Sequence, residues 1–418
     1  MLIEFKVENF RSIRDIQTLS MVASTGTELP QNVCSSGISA KLQLVRSAVI
    51  YGPNAAGKSN LIKALYFMQW LIKNSAKESQ QGDQIPLENF LFDKKVSQQP
   101  SKFEITFSKD NIRYQYGFIL SKKNIIEEWL LAYPSDRPQQ WFLRKYNEKK
   151  GDYEWKFSSN FEGGKQQHIL WQTSTRNNAL FLSTAVQLNN QQLISVFNFF
   201  QNDLIVSSTR ELRLKKSIEQ IKSQSGKQWI IKYINIADPS ITDIILESEK
   251  FSKETLSDKL PQEIKDLIIK EMTGEDIVKI SLKHVDNILD LSDESDGTQK
   301  FLEFAGLWAD VLENGRVVVV DELNTSLHPL VVKFLVNLMS NHNENKKNAQ
   351  LIFTTHDTSL LDDEIFRRDQ IWFVEKDNNI STQLYPLLDF SPRKHEAIGK
   401  GYLQGRYGAL PYIGEWKF

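Results

Sequence analysis

The run Gly52-Pro53-Asn54-Ala55-Ala56-Gly57-Lys58-Ser59 matches the spacing of a phosphate-binding loop without a break. Its chemistry follows from the residue types. Small residues let backbone N–H groups close around an anion, and a helix N-terminus behind the loop adds the positive end of its dipole. Lys58 is expected to reach the β- and γ-phosphate oxygens, and Ser59 to offer its hydroxyl to Mg²⁺. A second group, Asp321-Glu322, ends the apolar run Val317 to Val320. A carboxylate at the end of a buried strand can hold Mg²⁺, and one beside it can orient or deprotonate an attacking water. Alone, four valines and two acids more commonly describe an exposed acidic turn after a core strand. With the phosphate loop in the same chain, Asp321 reads as the metal ligand and Glu322 as the base. Neither Lys58 nor Asp321 is expected to place its side chain in the core.

Two further segments could face the same phosphates. Leu291 to Gln299 (LSDESDGTQ) stands immediately before a helical pattern, so Ser295 and Gly297 could donate hydrogen bonds to a phosphate, although on spacing alone the segment is an N-cap. Thr354-Thr355-His356-Asp357 follows a short apolar run. A lone histidine is more often structural. What raises His356 is its place at the C-terminal edge of a strand, where α/β sheets bind ligands.

The elements that must position these residues are readable as periods. Leu2, Phe5, Val7 and Phe10 with interleaved charges predict a half-exposed strand, and Leu44 to Tyr51 a more buried one that runs into the glycine loop. Leu61, Ile62, Leu65, Phe67, Met68 and Leu71 then recur at helical spacing. After a polar stretch with Gly82, Pro86 and Pro100, five short runs between Phe103 and Phe157 predict an antiparallel, β-rich subregion. From about Asn189 to Thr273 the pattern is more helical, and no sustained heptads suggest a coiled-coil arm. Ile280 to His284 predicts a strand, Gln299 to Leu312 a helix ended by Gly315, Val317 to Val320 a strand buried on both faces, Pro329 to Ser340 a helix and Gln350 to Phe353 a strand. Strand, helix, strand spacing implies a parallel α/β sheet. The domain reading is a first ATPase lobe over 1–75, a β-rich subregion over 76–188, a helical insertion over 189–284 and a second ATPase lobe over 285–418.

Composition narrows the class. The chain has 418 residues, 40% of them hydrophobic, enough to bury a substantial core, and its formal charge of −1 carries no bulk positive field of the kind nucleic-acid binders show. The single cysteine, Cys34, cannot form an intrachain disulfide, and six scattered histidines lack Cys/His zinc spacing. No apolar run reaches the length of a spanning helix, and the alternating start lacks the apolar stretch of a signal peptide. A cytoplasmic protein without a membrane contact is expected.

Taken in order, these motifs resemble the ABC-type ATPase head of the SMC and recombination-repair group. The resemblance covers about 1–75 and 285–375, and implies an α/β phosphate-loop head with an inserted β-rich and helical region. In that family Ser295 and Gly297 belong to the signature motif, Asp321-Glu322 closes the Walker B strand, Asn324 to Pro329 (NTSLHP) is similar to the D-loop, and Thr354-Thr355-His356 to the histidine switch. Asn9-Phe10-Arg11-Ser12 is similar to the family's N-terminus, where the arginine approaches bound nucleotide. Within the group the chain most resembles compact bacterial AAA-family ATPases of the RloA/AbiLi kind, many of them in phage-defence operons, through Glu294-Ser-Asp-Gly-Thr-Gln, Ser326-Leu-His-Pro and Tyr402 to Pro411. The signature lacks its usual first glycine, and no glutamine is assigned to the Q-loop.

The resemblance implies ATP and Mg²⁺ bound by Arg11, Asn54, Ala55, Ala56, Gly57, Lys58, Ser59, Asn60, Ser295, Gly297 and Asp321, with Glu322 and His356 catalytic. One signature and one phosphate loop per chain imply a homodimer, or a higher oligomer of dimers, that sandwiches two ATP molecules. A separate effector protein, a nuclease or toxin, would read the closed state, and nucleic acid is a further possible partner. The alternatives are a scaffold that holds ATP without turning it over, or a DNA-binding repair-type ATPase. The residues after His356 contain no Asp-x-Asp, which argues against a nuclease of the TOPRIM type in this chain, and His342, His356 and His395 lack the spacing of a two-histidine centre. Arg210, Arg213, Lys215 and Lys216 form either a phosphate-binding patch or, more commonly for such a run, a solvated helix face. The aromatic-rich stretch from Trp129 to Trp171 reads first as core packing.

Overall fold

Residues 1–39, 41–135, 137–207, 210–250, 276–393 and 396–411 are described by a computed structural model. His395, part of 189–284 and the last residues of the chain lie outside them. The chain divides into two compact units, one of Met1–Ser208, Val311–Thr325 and Val332–Phe418, the other of Thr209–Asp310 and Ser326–Val331.

The first unit begins with β1 (Leu2–Glu8) and β2 (Gln17–Ser20), then β3 (Val33–Ser35), β4 (Gln43–Val45) and β5 (Ser47–Tyr51). The helix Lys58–Asn74 follows the phosphate loop, and then come β6 (Ser101–Lys109), β7 (Ile112–Leu120), β8 (Ile125–Tyr133), β9 (Gln139–Asn147) and β10 (Asp152–Phe157). Tyr114, Tyr116, Phe118 and Leu120 are buried at every second position, the period of a strand with one face on a core. The five β-rich runs do not form a sheet of their own. They continue β1 and β2 in a seven-stranded sheet of order β10-β9-β8-β7-β6-β1-β2, with Phe5 opposite Ile105 and Val7 opposite Phe103. Trp129, Trp141 and Trp171 are buried, so the aromatic stretch is core.

A second sheet carries the motifs. With β11 (Leu204–Ser207), and after the second unit's β12 (Ile241–Lys250), β13 (Asp276–His284) and β14 (Ile288–Asp290), come β15 (Val317–Val320), β16 (Gln350–Thr354), β17 (Ile371–Lys376) and β18 (Thr382–Pro386). The sheet order is β11-β15-β16-β5-β17-β18, parallel except for β18. Every residue of β5, β15 and β16 is buried, as parallel strands covered on both faces require.

In the second unit the stretch expected to be helical holds the helices Arg210–Ile221 and Gln224–Ala237, but also β12 paired antiparallel with β13. Ile244 faces Leu282 and Leu246 faces Ile280. The β-branched content of Ile241 to Leu246 favours a strand only because a partner strand arrives much later in the chain. Gly306 lets the helix Asp296–Asn314 lie close on Arg210–Ile221, since a Cβ there would fall 2.2 Å from Ser217 Cα. Arg213 pairs with Glu303 at 3.1 Å and Lys216 with Glu219 at 3.0 Å, so these two cations are engaged within their own unit rather than held in an open basic patch.

One buried ion pair ties helix to sheet in the first unit. Glu128 accepts from Phe181 N at 2.6 Å, Leu182 N at 3.0 Å and the Tyr116 hydroxyl at 3.0 Å, capping the helix Phe181–Gln187. Arg144, also fully buried, lies 3.6 Å from Glu128 and donates to Ala179 O and Arg176 O. Burial raises the Glu128 carboxyl above its ordinary range despite the arginine. Removing the cation strands a desolvated acid, so Arg144→Met should lower stability by about 3–5 kcal/mol. Lys145→Ala, which breaks the exposed 3.1 Å pair with Glu127, should cost under about 1 kcal/mol. Urea unfolding of the two variants checks the contrast.

Candidate functional site

β5 delivers the chain to Gly52 in the middle of the parallel sheet, and the loop turns there into the helix Lys58–Asn74. Two glycines are required by contact. A Cβ at Gly52 would sit 2.2 Å from Val374 O on β17, and one at Gly57, whose φ is +116°, would sit 2.0 Å from Thr382 Oγ1 and 2.9 Å from Ser12 Oγ. Asn54 and Ala55 are exposed at the loop's crown, and Ala55 also takes a positive φ, 61°. In the first turn of the helix Asn60 N and Leu61 N already donate to Gly57 O at 2.9 and 3.1 Å, which leaves the N–H groups of Lys58 and Ser59 to face an anion in the loop.

Lys58 departs from expectation: its side chain is buried, 5% exposed. Its Nζ donates to Gly52 O at 2.8 Å and Pro53 O at 3.0 Å, inside the loop's own curve. Among the described residues no carboxylate lies within ion-pair distance of it. Burial depresses its pKa, while Asp321 and Glu322 pull it back up. This is a desolvated cation lined up with carbonyl dipoles, and an anionic ligand would suit it better.

The acids arrive by register. Val320 is level with Phe353 and Thr354 with Ile50, so Asp321, Thr354 and the end of β5 share one edge. Thr354 Oγ1 donates to Asp321 Oδ1 at 2.6 Å and accepts from Glu322 N at 2.7 Å. Glu322 has φ +50°, an uncommon value for a side-chain-bearing residue, and its carboxylate accepts from Thr325 Oγ1 at 3.3 Å. Thr355 Oγ1 donates to Asn324 Oδ1 at 2.9 Å and accepts from Asp357 N at 3.0 Å. The two threonines thus stitch the acidic turn to the strand end that carries His356. Burial and the Lys58 cation hold the His356 imidazole below its ordinary range, against the opposing pull of Glu322 and Asp321. Lys58, Asp321, Glu322 and His356 therefore sit close enough to feel one another's charge.

The sequence names Asn60 and Ser12 but gives no sign of the network with Thr382 by which they brace the loop. Asn60 Nδ2 donates to Ser12 Oγ at 2.7 Å, Ser12 Oγ lies 2.7 Å from Thr382 Oγ1, and Thr382 Oγ1 donates to Ala56 O at 2.8 Å. Ser12 and Thr382 are 370 positions apart, and no local pattern signals their meeting. Arg11, at φ +50°, is clipped to Glu88 through its backbone N–H at 2.8 Å and its guanidinium at 2.5 Å.

The second unit holds Ser295 and Gly297. Ser295 Oγ accepts from Thr298 N at 3.1 Å and lies 2.8 Å from Thr298 Oγ1, the geometry of an N-cap on the helix Asp296–Asn314. Ser295 is exposed, and a Cβ at Gly297 would meet nothing nearer than 3.6 Å. His284 Nε2 lies 2.7 Å from Glu294 Oε1 and its Nδ1 2.7 Å from Ser240 Oγ, anchoring the residue before the cap.

The donor set suits ATP and Mg²⁺. Gly52 and Gly57 leave no space for a Cβ, Lys58 has no carboxylate at ion-pair distance among the described residues, and Ser59 and Asp321 carry hydroxyl and carboxylate oxygens of the kind that Mg²⁺ takes beside phosphate and water. Thr354 is the residue on which the acids' placement depends. Thr354→Val should lower stability by about 1–3 kcal/mol, because Asp321 and Glu322 N lose their partner, whereas Thr354→Ser should cost about 0.8 kcal/mol for one buried methyl. Equal denaturation midpoints for the two variants would remove the hydroxyl from this role.

The head domain of SMC from Thermotoga maritima shares 14% identity, with 92% of this chain and 98% of that one covered and a TM-score of 0.41. The structure described as "Crystal structure of the SmcHead bound to the C-winged helix domain of ScpA" shares 12% identity, with 92% and 97% covered and a TM-score of 0.46. No curated protein matches the sequence. Among the described residues no helix is long and apolar enough to cross a membrane. A family model described as "AAA domain, putative AbiEii toxin, Type IV TA system" matches residues 47–362, a span that takes in the phosphate loop, the acidic pair and His356, and the chain belongs to this AAA-domain family.

Proposed function

We propose that the protein binds ATP with Mg²⁺ and hydrolyses it as a molecular switch, two copies closing around two nucleotides to control a partner effector. The observation that carries this reading is Lys58: a buried cation without a carboxylate partner among the described residues, inside a glycine-built loop, within electrostatic reach of Asp321, Glu322 and His356. Backbone N–H groups from Asn54 to Ser59 and the helix N-terminus bind the phosphates, with Lys58 on the β- and γ-oxygens. Ser59 and Asp321 hold Mg²⁺, which when bound neutralises charge on those oxygens. Glu322 orients the attacking water and accepts its proton, and neutral His356 contacts the γ-phosphate. Thr354 keeps Asp321 and Glu322 in register during turnover.

The switch part of the proposal rests on Ser295, exposed at a helix N-terminus, and the half-buried Gly297 beside it, which could approach a nucleotide held by a second copy. The family's description, which names a putative AbiEii toxin and a Type IV toxin–antitoxin system, supports an effector of the toxin kind, and a role in anti-phage defence is proposed with it.

Lys58→Ala should abolish tight Mg-ATP binding in calorimetry, and Glu322→Gln should bind ATP but release phosphate at least about 100-fold more slowly than wild type. Equal, negligible rates for wild type and Glu322→Gln would sink the hydrolase reading. In the Glu322→Gln background Mg-ATP should raise the sedimenting mass to that of a dimer, and adding Ser295→Arg should prevent this without weakening ATP binding.

A further inference from the structure

A cleft of about 470 Å³ opens beside the phosphate loop, bordered by Ala55 and Asn60 on one side and by the segment Glu88 to Phe92 on the other. We infer that this cleft takes the nucleoside end of the bound nucleotide, with the base stacked on Phe92. The inference rests on the ATP-binding reading above and deepens it.

The direction follows from the sheet order. β5 lies between β16 and β17. The acidic pair and His356 stand at the ends of β15 and β16, so the γ-phosphate belongs on that flank. A triphosphate stretched along the loop then brings its α-phosphate and sugar out on the opposite flank. Lys376, the last residue of β17, lines the cleft there, as does Arg11.

The far wall is built to hold its shape. Asn9 Nδ2 donates to Val96 O and Gln99 O at 2.8 Å, and Asn9 Oδ1 accepts from Phe90 N at 3.0 Å. Arg11 grips Glu88 at both backbone and side chain. Phe90 is fully buried, and Phe92 stands on it edge-to-face, ring centroids 5.8 Å apart. Phe92 itself is 65% exposed and its neighbour Leu91 76%. A braced but exposed aromatic ring on a cleft that starts at a phosphate loop offers what a nucleobase needs: an apolar planar face, with cations at the rim for the α-phosphate.

The test compares Mg-ATP with magnesium tripolyphosphate, which has the phosphates and no nucleoside. Wild type should bind ATP at least about 10-fold tighter than tripolyphosphate. Phe92→Ala should bring ATP down about 10-fold toward tripolyphosphate while leaving tripolyphosphate affinity unchanged. Phe92→Trp should keep ATP affinity, with a quench of tryptophan emission on adding ATP that neither wild type nor tripolyphosphate gives. The inference is overturned if Phe92→Ala leaves ATP affinity intact, if it weakens both ligands equally, or if the Phe92→Trp signal is silent to ATP. Wild type that binds neither ligand would overturn the phosphate-loop reading, and this one with it. Wild type that binds tripolyphosphate and ATP equally would overturn this one alone.

Discussion

Lys58 carries a charge into a place where charge is expensive, and much of the first unit can be understood as the surroundings that make this tolerable. A buried ammonium group keeps its proton only if dipoles or anions face it. Here the loop carbonyls of Gly52 and Pro53 supply the dipoles, and Asp321 and Glu322 supply a more distant field. That field exists because β5, β16 and β15 are parallel neighbours in one register, which stacks their C-terminal ends along a single edge. An antiparallel arrangement would send the acids to the opposite edge of the sheet. The parallel sheet is thus an electrostatic device as much as a packing solution.

Holding the loop's shape is a separate problem, solved by hydroxyls. Gly57 approaches Thr382 so closely that no side chain fits between them, and Thr382 passes the contact on to Ala56 O and Ser12. Thr354 performs the equivalent service for the acids. Its single hydroxyl joins Asp321 to the backbone of Glu322, which holds a left-handed conformation that costs of order 1 kcal/mol or more unless its surroundings fix it. Small polar residues suit both places, because each hydroxyl can donate once and accept up to twice close to a rigid strand.

What could be read without coordinates divides along this line. The phosphate loop, the acidic strand end and His356 are local patterns: their chemistry and their strand or helix context lie within a dozen residues. The five short runs from Phe103 to Phe157 and the helices around Leu61 and Pro329 are legible for the same reason, since their periods are local. Ser12, Thr382 and Thr354 matter through partners that only the folded chain brings near, and a serine or threonine has no signature at a distance. The pairing of β1 with β6 and of β12 with β13 is invisible for the same cause. The burial of Lys58 was illegible because a lysine is ordinarily a surface residue, and only a loop that folds around it makes the interior habitable.

Ser295 shows why a helix cap and a phosphate ligand need not be rival readings. A serine hydroxyl has one proton and two acceptor lone pairs. One lone pair takes Thr298 N. The contact with Thr298 Oγ1 can be made with either oxygen as donor. When Thr298 donates, both lone pairs of Ser295 are used and its proton is left to point outward from the helix end, where the dipole favours an anion. When Ser295 donates instead, the proton is turned inward. Capping is satisfied in both states, so the helix keeps its start whichever way the hydroxyl turns. An incoming phosphate would select the first state by a rotation about one bond, at little cost in structure. The neighbouring Glu294, its side chain held by His284, keeps that rotation local to the serine.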